Sequence, residues 1–263
     1  MVGRRTKLSA LGDAYLEQWD ELRVWCDRLS DEEWLAPSVL AAWRVADLVA
    51  HLELVAASVI TAAEEPTAVK GLTIADYLAR YGEVAASIDA RTRDRGARGR
   101  SDILCSLDQL GEAAAQVFAS LRMADDPVVT ARRGPIKWSS FVATRCIELT
   151  VHADDLSRSV SGGRGPQLKK ACLNASARAL TRVLAERSPG HSVEVRVPPV
   201  AAVQCVPGPR HTRGTPSAVV ELDPISFVRL AAGRISWLAA VDQGMVTASG
   251  QRADLTEWLP LFS

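Results

Sequence analysis

The chain is poor in aromatic residues, in lysine and above all in histidine. Phe, Tyr and Trp make up 5% of its 263 residues, there are four His, and Lys stands only at Lys7, Lys70, Lys137, Lys169 and Lys170. Basic and acidic side chains number 31 each and cancel, so the basic surplus that wholesale nucleic-acid binding requires is missing. Five Cys, at Cys26, Cys105, Cys146, Cys172 and Cys205, are odd in number and never form a CxxC pair. That spacing speaks against a zinc knuckle or a disulfide framework and leaves buried free thiols. No apolar run reaches the roughly 18 residues of a membrane span. The basic opening residues are followed by Asp13 and Glu17, which interrupt the apolar core a signal peptide needs, so a cytoplasmic protein without a membrane span is expected. No Ser–His–Asp constellation stands out. Gly162-Gly-Arg-Gly165 lacks the Lys-Ser/Thr ending of a phosphate loop and follows a helix where a strand is required.

What is present is a large apolar fraction, 48% of residues, enough for a real core. The first two-thirds of the chain reads as helices. Apolar residues recur at helical spacing from Leu8 to Leu29, and Ser30 to Glu33 has the spacing of a capping box. A helix apolar on most faces follows from about Val45 to Ala63, then one from Thr73 to Arg93 and one from Ser101 to Leu121. Arg91 to Arg100, with five Arg, Asp94 and two Gly, reads as a solvated loop. Asp125 to Pro135 reads as a break, and Lys137 to Val160 as a further helix stopped by Ser161 to Pro166. Gln167 to Arg187 is still helical. Beyond it the pattern changes to period-two alternation at His191–Val197, with strand candidates at Val200–Val206, Ser217–Leu222 and Met245–Ser249. Asp223-Pro224 starts one more helix, and Asp254–Leu259 is a last short one. The expected architecture is therefore a helical bundle over residues 1–165 followed by a small α+β domain over residues 166–263.

Glu148 and His152 stand four apart on the helix from Lys137 to Val160, a spacing that puts both on one face. His51 lies among Leu48, Val49, Leu52 and Val55. Two imidazoles and a carboxylate suit a zinc ion with one position left open. A hydrogen-bonded core histidine and an ordinary ion pair are the competing readings. Glu148 sits in an apolar run where an unpaired charge is costly, a cost that either a metal or Arg145, one turn earlier, relieves. Asp155 can orient a ligand histidine or pair with Arg158. Trp43 can line a pocket or staple the helix start. Cys146, two residues before Glu148, faces away from that pair.

The stretch from Trp34 through Pro37, Trp43 and Asp47 to His51, together with Arg145-Cys-Ile-Glu148-Leu-Thr-Val-His152-Ala-Asp-Asp155-Leu156, resembles the two motifs of the mycothiol-dependent maleylpyruvate isomerase family, a branch of the DinB-like helical bundles. Asp223 to Arg234 and Val246 to Gly250 are similar to the sterol-carrier-like C-terminal domain that many members carry. The resemblance implies that His51, Glu148 and His152 hold a divalent metal, zinc first, with Asp155 and Arg145 behind them. It implies that Arg234 holds an acidic substrate; a surface Arg favoured at a helix C-terminus is the alternative. Mycothiol is the implied co-substrate, its sulfur held as a thiolate for isomerisation of, or S-transfer to, a small electrophile. The alternative class is a sterol-carrier-like protein that binds a lipid or small molecule, its metal structural or vestigial. The sequence leaves the electrophile and the oligomeric state open.

Overall fold

The computed structural model describes residues 7–120, 126–160, 162–208 and 218–262. A mostly helical N-terminal region is followed by a small sheet-containing C-terminal region. By contact the chain forms two compact units, Met1–Thr73 with Gly82–Cys172, and Ile74–Tyr81 with Leu173–Ser263.

In the first unit, α1 (Lys7–Asp27), α3 (Val45–Glu64), α6 (Arg100–Ser120) and α7 (Trp138–Ser159) are the long helices. They pack in a ring, α1 against α6, α6 against α3, α3 against α7 and α7 against α1. Close approach of α1 and α6 depends on Gly111, where a Cβ would overlap the Trp19 indole. The predicted capping box starts α2 (Asp31–Leu35): Ser30 Oγ accepts from the Glu33 amide, and Glu33 accepts from the Ser30 amide. Contrary to the expectation from apolar runs, α3 is long and apolar enough to cross a membrane, yet 72% of its apolar window is buried inside the fold. It is the central core helix, and it carries Asp47, His51 and Glu53 into the interior.

Three sequence expectations in this unit need correction. The segment read as a break contains a hairpin, β1 (Val128–Ala131) paired with β2 (Gly134–Lys137). The single helix expected from Thr73 to Arg93 is two, α4 (Ile74–Ala79), which belongs to the second unit, and α5 (Tyr81–Gly96). Lastly, the arginine-rich segment is not a solvated loop. Residues 91–96 complete α5, Arg95 and Arg98 bind the fully buried Glu53 at 2.8 and 3.0 Å, and Arg100 pairs with Asp31. An unpaired buried carboxylate is costly, and these guanidiniums supply its counter-charge.

The second unit is built on α8 (Lys170–Arg187) and a four-stranded sheet in the order β4 (Ala201–Cys205), β3 (Val193–Val197), β5 (Val219–Glu221), β6 (Thr247–Ser249). β3 and β5 run parallel; the other pairs are antiparallel. The buried positions of β3 alternate, as predicted, with Val193, Val195 and Val197 fully inside beside Val220, Phe227 and Leu230. Asp223 caps α9 (Pro224–Ala231) as expected, accepting from the amides of Ile225 and Ser226. A short helix that the sequence did not announce, α10 (Trp237–Asp242), starts on Ser236. The expected last helix at Asp254–Leu259 is instead a turn, with Trp258 and Leu259 amides both donating to Leu255. Leu121, Asp125, Ser161 and Ser217, which fall at the edges of expected elements, lie outside the described residues.

Candidate metal centre

α3 and α7 face each other across the ring, and their facing turns carry His51, Glu148 and His152. One ligand atom from each of the three lies within 4.8 Å of the others. Glu148 Oε2 is the focus: His152 Nε2 stands 3.3 Å from it and His51 Nε2 3.7 Å. The two imidazoles meet edge-on, centroids 4.8 Å apart. Each is 4% exposed.

The far side of each ring is tied down. His51 Nδ1 is 3.1 Å from Thr92 Oγ1 of α5, and His152 Nδ1 is 3.2 Å from Asp155 Oδ2. With the proton on Nδ1, each ring donates away from the centre and turns its Nε2 lone pair inward, as ligand histidines do. Gly96 lets α5 come close enough for this, because a Cβ there would overlap Asp47, one turn before His51. Asp155 makes both contacts that the sequence offered it, since its Oδ1 also accepts from Arg158 at 2.6 Å.

Glu148 Oε1 is held from behind. Arg145 Nη2 and Arg133 Nη2 each approach it at 3.4 Å, leaving Oε2 directed at the histidines. Burial alone would raise the Glu148 carboxyl; contacts with His152 and His51 and the charge of Arg145 outweigh it and hold the group well below the usual carboxylate range. Burial lowers both histidines. At His51 it prevails, whereas at His152 the contacts with Asp155 and Glu148 reverse it and raise the group. Trp43 packs against His51 with ring centroids 5.2 Å apart, and its indole N–H donates to Asp89 at 2.7 Å.

His51 Nε2 provides the test of whether a metal fits. It is buried and has no hydrogen-bond partner among the described residues, an arrangement that is costly for a polar atom. Two imidazole nitrogens and a carboxylate oxygen converging on one point form a donor set suited to zinc or a similar divalent ion, which would satisfy that nitrogen.

The remaining candidates stand elsewhere. The Cys146 thiol is buried, on the α1 side near Leu11, and its contact with Cys172 and its burial both raise it well above its ordinary range, so it is kept protonated. Arg234 lies in the second unit, just after α9. Gly233, at φ 66°, ends that helix, and the Arg234 amide reaches back to Arg229 in a Schellman closure. Its Nη1 donates to the Ala232 carbonyl at 3.1 Å.

Thr92, Arg133 and Asp89 were not singled out from the sequence. Thr92 and Asp89 give no local signal. Arg133 had a faint one: Val128-Val-Thr130, then three residues, then Gly134-Pro135 and Ile136, is a short hairpin pattern.

A ring of four helices with an inward His–Glu–His cluster, followed by a sheet-containing region, defines a two-part protein with a candidate metal site in its helical part. The chain belongs to the mycothiol maleylpyruvate isomerase family, whose N-terminal domain matches residues 15–157. Residues 169–261 match the family described as bacterial SCP ortholog. Among solved structures, the chain is similar to the mycothiol-dependent maleylpyruvate isomerase, with 16% identity, 95% of each chain covered and a TM-score of 0.60. A histidine-to-alanine variant of that enzyme is similar too, at 15% identity, the same coverage and a TM-score of 0.59. At such identity the likeness establishes the fold alone. No curated protein matches the chain.

Proposed function

We propose that this chain is a metal-dependent enzyme that uses a low-molecular-weight thiol, mycothiol, on a small electrophilic substrate. The observation that carries this reading is the buried Nε2 of His51, without a hydrogen-bond partner among the described residues and 3.7 Å from the oxygen of Glu148 that also faces His152. Family membership supplies the thiol. A divalent ion, zinc first by its donor set, contributes Lewis acidity that holds sulfur as a thiolate at neutral pH. Nucleophilic addition to a cis double bond, rotation about the resulting single bond and loss of the sulfur is isomerisation; addition or displacement that is retained is S-transfer.

The protein's own groups have distinct roles in this reading. His51, Glu148 and His152 hold the ion, while Thr92 and Asp155 fix the two rings and Arg145 fixes the carboxylate. Trp43 walls the site beside His51, its indole anchored by Asp89. Arg234 is assigned to the carboxylate of an acidic substrate, for which a guanidinium is the fitting donor.

Elemental analysis of the purified protein, combined with turnover assays using mycothiol and a panel of electrophiles that includes maleylpyruvate, tests the proposal. The wild type is expected to hold stoichiometric divalent metal and to require the thiol; His51→Ala should lose both. Stoichiometric metal in His51→Ala, or thiol turnover by metal-free wild type, would overturn it.

A further inference from the structure

The β1–β2 hairpin turns on just two residues, Arg132 and Arg133, between paired Ala131 and Gly134. It is strapped to the chain that leaves α3: the Thr67 amide donates to Val128, the Thr130 amide to Glu65, and the Leu72 amide to Pro135, all at 2.8–2.9 Å. The two arginines of the tip have separate partners. Arg132, exposed, donates to Ser87 Oγ on α5 at 2.6 Å. Arg133 is buried, 6% exposed, and reaches Glu148 Oε1. Arg145 already occupies that oxygen at the same distance. One candidate ligand carboxylate thus carries two guanidiniums, only one of which comes from its own helix.

A second arginine is not needed to orient Glu148, since Arg145, three residues earlier, does so along α7. It does add a unit positive charge close to where a divalent cation would sit. In a site screened from water, like charges at such a range repel appreciably. We infer that Arg133 is an electrostatic counterweight delivered by the hairpin: it weakens the hold of His51, Glu148 and His152 on a divalent cation, with the Arg132–Ser87 contact keeping it in place. The inference rests on the proposed metal site. It predicts a site that exchanges its ion more readily than its three donors alone would allow.

Metal affinity tests it, measured by competition between the full-length protein and a chromophoric zinc chelator, with circular dichroism to verify folding. Arg133→Gln removes the charge and should bind zinc about tenfold more tightly than wild type. Arg133→Lys retains the charge and should stay near wild type. Ser87→Ala sits at an exposed position, changes no charge and frees the tip, so it should tighten binding a few-fold, and it serves even where Arg133→Gln does not fold. Unchanged or weaker zinc binding in Arg133→Gln, or in Ser87→Ala where the former does not fold, would overturn the inference while leaving the metal site intact. A wild type that binds no zinc at all would remove the proposed function itself.

Discussion

The two units bury polar groups in opposite ways. Among the described residues, every buried charged side chain belongs to the first unit: Asp47, Glu53, Arg133, Arg145, Asp154 and Asp155, with His51 and His152 beside them. The buried polar residues of the second unit are Ser176, Thr181, Ser188, Ser192 and Ser226. A serine can satisfy itself on a helix carbonyl, as Ser188 does on Leu184 at 2.9 Å. A buried charge needs a partner brought from elsewhere in the chain, and even when paired it is weak evidence of stabilisation. The second unit is therefore held by apolar burial. The first accepts electrostatic cost at several points, Glu53 with Arg95 and Arg98 among them; where His51, Glu148 and His152 meet, two imidazoles share that cost with a carboxylate, and ionisable groups that perturb one another in this way are a physical mark of a site.

Truncation of the apolar core gives the largest expected effect. Phe227→Ala should destabilise the protein by about 3–5 kcal/mol, since it removes a fully buried ring and leaves a cavity. Denaturant unfolding measures this, and the folded fraction should keep wild-type zinc affinity. A change in that affinity would break the separation between an apolar unit and a charged one.

Metal should act on the other side of the comparison. At about 100 times its dissociation constant, zinc should stabilise the wild type by roughly 2.7 kcal/mol. It should stabilise His152→Ala by nothing measurable, read as the shift in thermal unfolding with and without chelator. Equal stabilisation of both would place the ion elsewhere.

Smaller effects belong to the groups behind the imidazoles. Asp155→Asn removes a carboxylate that contacts His152 at 3.2 Å, and should weaken zinc binding about ten- to a hundredfold. Thr92→Val removes only a neutral hydroxyl at 3.1 Å from His51, so its loss should lie at or below the lower end of that range. The reverse order would mean that His51, not His152, is the ring whose orientation limits binding.

These same residues show what a sequence can carry. Glu148 and His152 are legible because i and i+4 on one helix are neighbours whatever the tertiary structure. His51 is legible only through its apolar setting and the family resemblance, since α3 and α7 are joined by nothing local. Thr92, 41 residues from His51, lies in a stretch whose arginines suggest a solvated loop. What turns that stretch into structure is Glu53, 42 and 45 residues away from Arg95 and Arg98, and pairing at such separation leaves no periodic trace. The hairpin left only a faint trace because of its size, four residues per strand with Pro135 in one of them. The break between α4 and α5 was hidden for the opposite reason: Ile74, Tyr77, Leu78, Tyr81, Val84 and Ile88 keep helical spacing across it. In the second unit, α10 has six residues, too few to show a period.

Tyr15 offers the finest test of the contrast, because it is a buried polar group of the first unit that no partner explains. Its hydroxyl is buried without a hydrogen-bond partner among the described residues, and burial raises the phenol far above its ordinary range. Its ring stacks on Trp19 with centroids 6.2 Å apart and lies 5.5 Å from Phe118, contacts that a phenylalanine would retain. If nothing further partners it, this oxygen adds nothing but its desolvation cost. Tyr15→Phe should then leave stability unchanged or raise it by up to about 1 kcal/mol, with no change in zinc affinity. A loss of about 1 kcal/mol or more in denaturant unfolding would instead identify a bound partner, such as an internal water, and would make this oxygen one more satisfied polar group of the first unit.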